Sequence, residues 1–170
     1  ATSTITVVDS NPSILFNMPC EAPGGEFVLY SGASGTNAYI AKYSLATSVS
    51  TTLYDRENVG EYYPVPVDTA SFYYSANYSS TNHHDQIYVG YLDGSAPVYL
   101  PFNTPSADYS DACPVNSDWL ILSGTRTDSS GGYDLYIANV TSGAIYRLST
   151  YNSAINTSLN ELGASYHPGS

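Results

Sequence analysis

Trp119-Leu-Ile-Leu-Ser-Gly124, followed after a polar loop by Tyr133-Asp-Leu-Tyr-Ile-Ala-Asn139, is the stretch that decides the fold. The first run is short and apolar. The second alternates, with Tyr133, Leu135 and Ile137 on one face and Asp134, Tyr136 and Ala138 on the other. A period of two belongs to a strand, and short strands bounded by Ser, Gly and Asn read as an antiparallel pair. The same order occurs twice more. Phe27-Val-Leu-Tyr-Ser-Gly32 leads through Gly35 and Asn37 to Ala38-Tyr-Ile-Ala-Lys-Tyr43, and Ser71-Phe-Tyr-Tyr-Ser-Ala76 leads through the loop 77–85 to Gln86-Ile-Tyr-Val-Gly-Tyr91. A further strand follows each pair, over 50–54, 98–102 and 145–149.

The serines that close the first strands, Ser31, Ser75 and Ser123, stand 44 and then 48 residues apart. A four-stranded propeller blade takes roughly 40–50 residues. The chain therefore reads as all-β: one domain over 1–170 built of three β-propeller-type blades at about 19–54, 64–102 and 113–149, with partial end strands over 4–16 and 163–168. No stretch of helical length carries a sustained 3.6-residue apolar period.

The third repeat, Asn116-Ser-Asp-Trp-Leu-Ile-Leu-Ser-Gly-Thr-Arg126, then Gly-Gly-Tyr-Asp134-Leu-Tyr-Ile-Ala-Asn and Ala-Ile-Tyr-Arg-Leu-Ser149, resembles the TolB-like (WD-type) β-propeller repeat. The resemblance covers about 19–170 and is weakest in the first repeat. It implies architecture rather than activity, and it implies that Arg126 and Asp134 form a structural pair stapling the third loop. Gly163-Ala-Ser-Tyr-His-Pro-Gly169 resembles the opening of a fourth blade. Propellers close with four to eight blades. Three complete repeats leave three routes: a small fourth blade made from both ends, completion by another copy, or a longer parent chain. The reading favours another copy.

Composition bounds the partners. Four basic residues (Lys42, Arg56, Arg126 and Arg147) face 15 carboxylates, a net charge of −11. Nucleic acid and anionic membrane surfaces need basic side chains to displace counterions, so both classes are disfavoured, and no apolar run is long enough to insert into a membrane. Scarce Lys with abundant Ser, Thr, Asn and Tyr reads as secreted and extracellular. Glycosylation sequons at Asn77, Asn139 and Asn156 agree with that, and Ala1 can be read as a mature N-terminus left after cleavage. In an oxidising compartment two cysteines, Cys20 and Cys113, suggest a disulfide, with two buried thiols as the alternative.

Candidate chemistry is sparse. His83-His84-Asp85 is the densest set of ligand-type residues, but neighbours in an extended loop point apart. Asp128 and Asp134 could offer oxygens to calcium without the spacing of an EF-hand. Paired acids for glycoside cleavage need about 5–9 Å between them, and Glu57 with Glu61, or Asp108 with Asp111, are near only in sequence. No nucleophile elbow, zinc-protease helix or phosphate loop is present, and nothing points to a cofactor or a metal. The tyrosines Tyr62, Tyr63, Tyr73, Tyr74 and Tyr78 are the binding candidates, since a ring with a hydroxyl suits a sugar or a protein interface. Most blade tyrosines are expected to be core. The sequence thus points to a non-catalytic secreted subunit that forms homo-oligomers or polymers. An extracellular carbohydrate-binding module is the alternative, and a fragment of a propeller-bearing lyase or hydrolase is a further one.

Overall fold

A computed structural model describes residues 8, 10–35, 37–78, 83–129 and 132–167. The expected strand over 4–9 lies outside them except for Val8. The described chain forms three antiparallel four-stranded sheets, each a meander of consecutive strands. Blade 1 holds β1 (Leu15–Glu21), β2 (Phe27–Ser34), β3 (Asn37–Ser44) and β4 (Val49–Tyr54). Blade 2 holds β5 (Glu61–Pro66), β6 (Ser71–Ala76), β7 (Gln86–Tyr91) and β8 (Val98–Tyr99). Blade 3 holds β9 (Tyr109–Pro114), β10 (Trp119–Gly124), β11 (Asp134–Asn139) and β12 (Ile145–Arg147). Each blade begins three to four residues before the repeat read from the sequence, because the first strand of each starts earlier than its apolar pattern.

That irregularity has one cause. In β1, β5 and β9 the pairing with the next strand slips by one residue, between Asn17 and Cys20, between Tyr62 and Val65, and opposite Ile121 and Ser123. At each slip one residue takes a left-handed backbone: Met18 (φ 54), Tyr63 (φ 54) and Asp111 (φ 56). Such a bulge adds a residue, bends the strand and breaks the alternation on which strand reading depends. Ser31, Ser75 and Ser123 lie directly across from Asn17, Tyr62 and Ser110, so the serine periodicity marks the same level of every blade.

The blades stack face to face. Phe27, Leu29, Ile40 and Tyr54 of blade 1 meet Phe72, Tyr74 and Ala76 of blade 2. Tyr73, Ile87, Leu100 and Phe102 of blade 2 meet Tyr109, Leu120, Leu122, Tyr136 and Ala138 of blade 3. Blade 2 is covered on both faces, so consecutive residues of β6 are all buried from Phe72 to Ala76. Tyr73 and Tyr74, expected among binding residues, are 4% and 0% exposed and belong to these two cores. Tyr78 is turned inward too: its ring packs on Tyr88, and its hydroxyl joins Tyr74 (2.6 Å) and Glu61.

Glu61 is a fully buried carboxylate. Burial raises its pKa, opposed by the Tyr78 hydroxyl and by Arg56. A carboxyl whose folded pKa lies above its unfolded value contributes most below the unfolded value, and that contribution is lost as pH rises through the folded pKa. In Glu61→Gln this loss is absent. The stability of the wild type relative to the variant is therefore expected to fall as pH rises above the ordinary carboxylate range, read as the difference in urea midpoints. A constant difference would show that Glu61 does not titrate in the fold.

Two asparagines clasp the segments that leave blades 2 and 3 back onto those blades. The Asn103 amide accepts from Ile87 N (3.1 Å) and donates to Ile87 O (2.7 Å), and the Asn156 amide brackets Leu135 in the same way (2.7 and 2.9 Å). Asn156, expected as a glycosylation site, is 7% exposed with its amide nitrogen committed to Leu135 O. In the folded chain it is a clasp, buried and with one amide hydrogen committed to Leu135. Asn139 and Asn77 are half-buried, the Asn139 oxygen accepting from Thr141 N and Ser142 N, while Ser79 of the Asn77 sequon lies outside the described residues.

The expected Cys20–Cys113 disulfide is not formed; both are free, half-buried thiols. Burial raises the Cys20 pKa, with smaller contributions from Cys113 and Glu21. Cys113 Sγ instead accepts Tyr166 N at 3.2 Å, from a C-terminal segment that crosses β9. That segment has no ladder partner over 163–167, so the strand expected there is absent among the described residues. Its backbone nevertheless follows the route of an inner strand. Glu161 N donates to Tyr133 O at 2.8 Å as Tyr109 N donates to Asp85 O at 2.8 Å, and Gly163 (φ 65) takes the left-handed conformation of Asp111.

Candidate functional site

The bulges bring equivalent positions of successive blades to one place. Tyr62 and Tyr63 from β5, Ser110 and Asp111 from β9, and Leu162 and Gly163 from the C-terminal segment line a single cleft of about 380 Å³. Asp85 and Tyr133, each standing just before the third strand of its blade, complete the wall. The Tyr62 and Tyr63 rings meet edge to face at 5.2 Å. Of the five candidate tyrosines, these two remain at an accessible site.

The cleft is acidic and aromatic. The Tyr62 hydroxyl donates to the Asp85 carboxylate, and burial followed by that bond pushes the Tyr62 phenol far above its ordinary range. Burial raises the Asp85 pKa, partly offset by the Tyr62 hydroxyl. Tyr133 is pushed up to about 12, first by burial and then by the carboxylates of Asp108, Asp85 and Asp111. Tyr63 is raised by burial, then by Asp111 and Asp85. None of the four basic residues lines the cleft. Asp111 accepts from Ser110 Oγ at 3.3 Å through Oδ2, while its Oδ1 is closed to solvent without a donor.

The remaining sequence candidates separate. His84 Nδ1 lies 2.9 Å from Asp108 Oδ2, and Asp108 also accepts from Asp85 N at 2.9 Å, which makes Asp108 a staple between blades 2 and 3 rather than half of an acid pair with Asp111. His83 is exposed. Glu57 is exposed and Glu61 buried, so they do not act as a pair either. Among the described residues no group of three or more His, Cys, Asp or Glu is placed to hold a metal ion. The expected Arg126–Asp134 pair is replaced by another: Asp134 bonds Arg147 at 2.5 Å, because β12 lies beside β11 and sets Arg147 opposite Tyr136, two residues from Asp134 on the same face. Arg126 turns to Tyr109 Oη (3.0 Å) and Asp128 (3.4 Å). Asp128 is thus engaged by Arg126 and Asp134 by Arg147, and among the described residues neither belongs to a group placed to hold a metal ion.

Sequence reasoning missed Ser110, Asp111 as a wall residue, Tyr133, Leu162 and Gly163. A signal was present: Tyr63 and Asp111 each stand twelve residues before the serine that closes the next strand. Aligning the repeats on those serines superposes the two bulges.

No family model matches the chain, and no curated protein sequence does. Solved structures match its fold. TolB from Acinetobacter baumannii aligns over 92% of this chain and 36% of its own, at 17% identity and a TM-score of 0.67. An oligogalacturonate lyase in complex with manganese aligns over 84% of this chain and 44% of its own, at 13% identity and a TM-score of 0.62. A puromycin-hydrolysing peptidase of Mycobacterium tuberculosis aligns over 79% and 22%, at 12% identity and a TM-score of 0.64. The chain thus spans less than half the length of each of these proteins. At such identities the likeness is one of fold: three blades of the TolB-like β-propeller type.

Proposed function

We propose that this chain is a secreted, non-catalytic structural subunit whose incomplete propeller is continued by further copies of itself. One observation carries the reading: the outer sheet face at each end of the blade stack carries a hollow lined mainly by apolar side chains. On blade 1, Val8, Phe16, Pro19 and Val28 surround one of about 250 Å³ over the buried Tyr30. On blade 3, Val115, Trp119, Ile137, Leu148 and Tyr151 surround one of about 340 Å³, with Tyr151 68% exposed. The two faces are the opposite sides of the same repeated unit, so blade 3 of one copy can receive blade 1 of the next as blade 2 receives its neighbours. Such a head-to-tail contact gives a ring if it closes and a filament if it does not. Secretion is supported by the scarcity of Lys and Arg and by the sequons at Asn77 and Asn139.

The test uses one charge at each end. Light scattering and electron microscopy of the wild type should show assemblies that lengthen with concentration and with salt, since a net charge of −11 repels like copies. Tyr151→Asp and Val28→Asp should each cut assembly, and a mixture of the two should stop at dimers, because one competent face of each kind remains. A wild type that stays monomeric at every concentration overturns the proposal, as would a mixture that regrows long assemblies. A second reading, an extracellular carbohydrate-binding module, is favoured by the tyrosine-lined cleft between blades 2 and 3.

A further inference from the structure

The cleft at the bulges has aromatic walls and an acidic floor that no Lys or Arg lines. Tyr62, Tyr63 and Tyr133 supply ring faces and edges, while Asp85 and Asp111 supply carboxylates. A cation beside such rings is held by their quadrupoles as well as by the carboxylates. No Lys or Arg reaches the cleft: Arg126 and Arg147 are bonded elsewhere, Arg56 lies over the Tyr78 ring at 4.2 Å, and Lys42 is on β3 of blade 1, while His84 acts on Asp85 from beside it and bonds Asp108. Asp111 is only partly covered where it lines the cleft, and its Oδ2 accepts from Ser110 Oγ at 3.3 Å.

We infer that this cleft binds a protonated amino sugar, the ammonium donating to Asp111 and the ring CH face lying on Tyr63. Deepening the carbohydrate-binding reading, this inference rests on that reading and is independent of assembly. A metal ion fits less well, because the described residues place no three carboxylates or imidazoles around one point. An ammonium carried on a flat, hydroxylated frame needs only one or two carboxylates, and its hydroxyls can meet Ser110 and the tyrosine hydroxyls. A volume of about 380 Å³ falls within the range of about 300–1,000 Å³ usual for small-molecule sites. Tyr63 and Asp111 hold left-handed backbones, so each side chain leaves the strand at its bulge.

Calorimetric titration of the full chain with glucosamine, N-acetylglucosamine and calcium chloride tests this. Glucosamine should bind saturably at one site, and N-acetylglucosamine, which keeps the ring and loses the charge, should bind at least about tenfold more weakly. Asp111→Asn should weaken glucosamine about tenfold, and the variant should fold, since Asn tolerates a left-handed backbone. Tyr63→Asn, compatible with its φ for the same reason, should weaken both sugars by removing the ring. Equal binding of the two sugars overturns the role of charge and leaves the carbohydrate reading standing. No saturable binding of either sugar overturns both. Glucosamine displaced by calcium at one shared site, or an unchanged affinity in Asp111→Asn, would also overturn the inference.

Discussion

Replacing Tyr74 by alanine lowers stability by about 3–5 kcal/mol, the range for removing a buried large aromatic side chain. Tyr74 is 0% exposed and sits at the centre of the contact between blades 1 and 2. It stacks on Tyr54 at 5.3 Å with 14° between planes, and touches Phe72, Tyr88 and Tyr78 at 5.6, 5.7 and 6.4 Å. Four rings would border the vacated volume, and none can collapse into it without leaving another contact. Tyr74→Phe separates packing from hydrogen bonding. It keeps the ring and removes only the hydroxyl bonded to Tyr78, an expected loss of about 1 kcal/mol. Urea midpoints of the two variants give the comparison. Equal losses would place the stability in the hydroxyl chain towards Glu61 and not in the ring stack.

Asp134→Ala is expected to cost a similar amount, about 3–5 kcal/mol, the cost of breaking a buried ion pair from one side. Asp134 is fully buried, and Arg147, with its side chain only 21% exposed, would lose the carboxylate bonded to it and retain only the more distant charge of Glu161. The double-mutant cycle discriminates between partners. Asp134 and Arg147 should show strong coupling, and Asp134 with Arg126 almost none, since the latter two share no bond. Strong coupling to Arg126 would contradict the geometry.

This pair also shows where sequence reading stopped. Asp134 and Arg126 flank one loop, so proximity along the chain suggests a staple, whereas β12 returns beside β11 and brings Arg147 across the ladder. The strands β2, β3, β6, β7, β10 and β11 are legible because they are regular and either alternating or apolar throughout. The inner strands β1, β5 and β9 are not. Their bulges shift the side-chain phase, and Pro19 and Pro64 beside Met18 and Tyr63 read as breaks. The tyrosines fail for a further reason. In β6, Tyr73 and Tyr74 point to opposite faces, and in a half-covered sheet one of them would be accessible. Both are buried because blade 2 alone has a neighbour on each side. The cleft was legible in its residue types, through Tyr62 and Tyr63, but its carboxylates come from loops and bulges whose meeting depends on how blades 2 and 3 stack.

The left-handed residues carry a consequence for how this protein can change. A side chain other than glycine in that conformation costs roughly 1–2 kcal/mol, a strain that Gly163 avoids and that Met18, Tyr63 and Asp111 carry. Substituting glycine at Tyr63 or Asp111 would relieve strain and strip the cleft in a single step. Backbone relief and the side-chain lining of the cleft therefore pull in opposite directions at the same backbone position in blades 2 and 3. A search for more stable variants would empty this cleft first, while the cores between the blades, where Tyr74 and Tyr136 sit, would resist change. The chemistry of the cleft is the part of the molecule most open to revision.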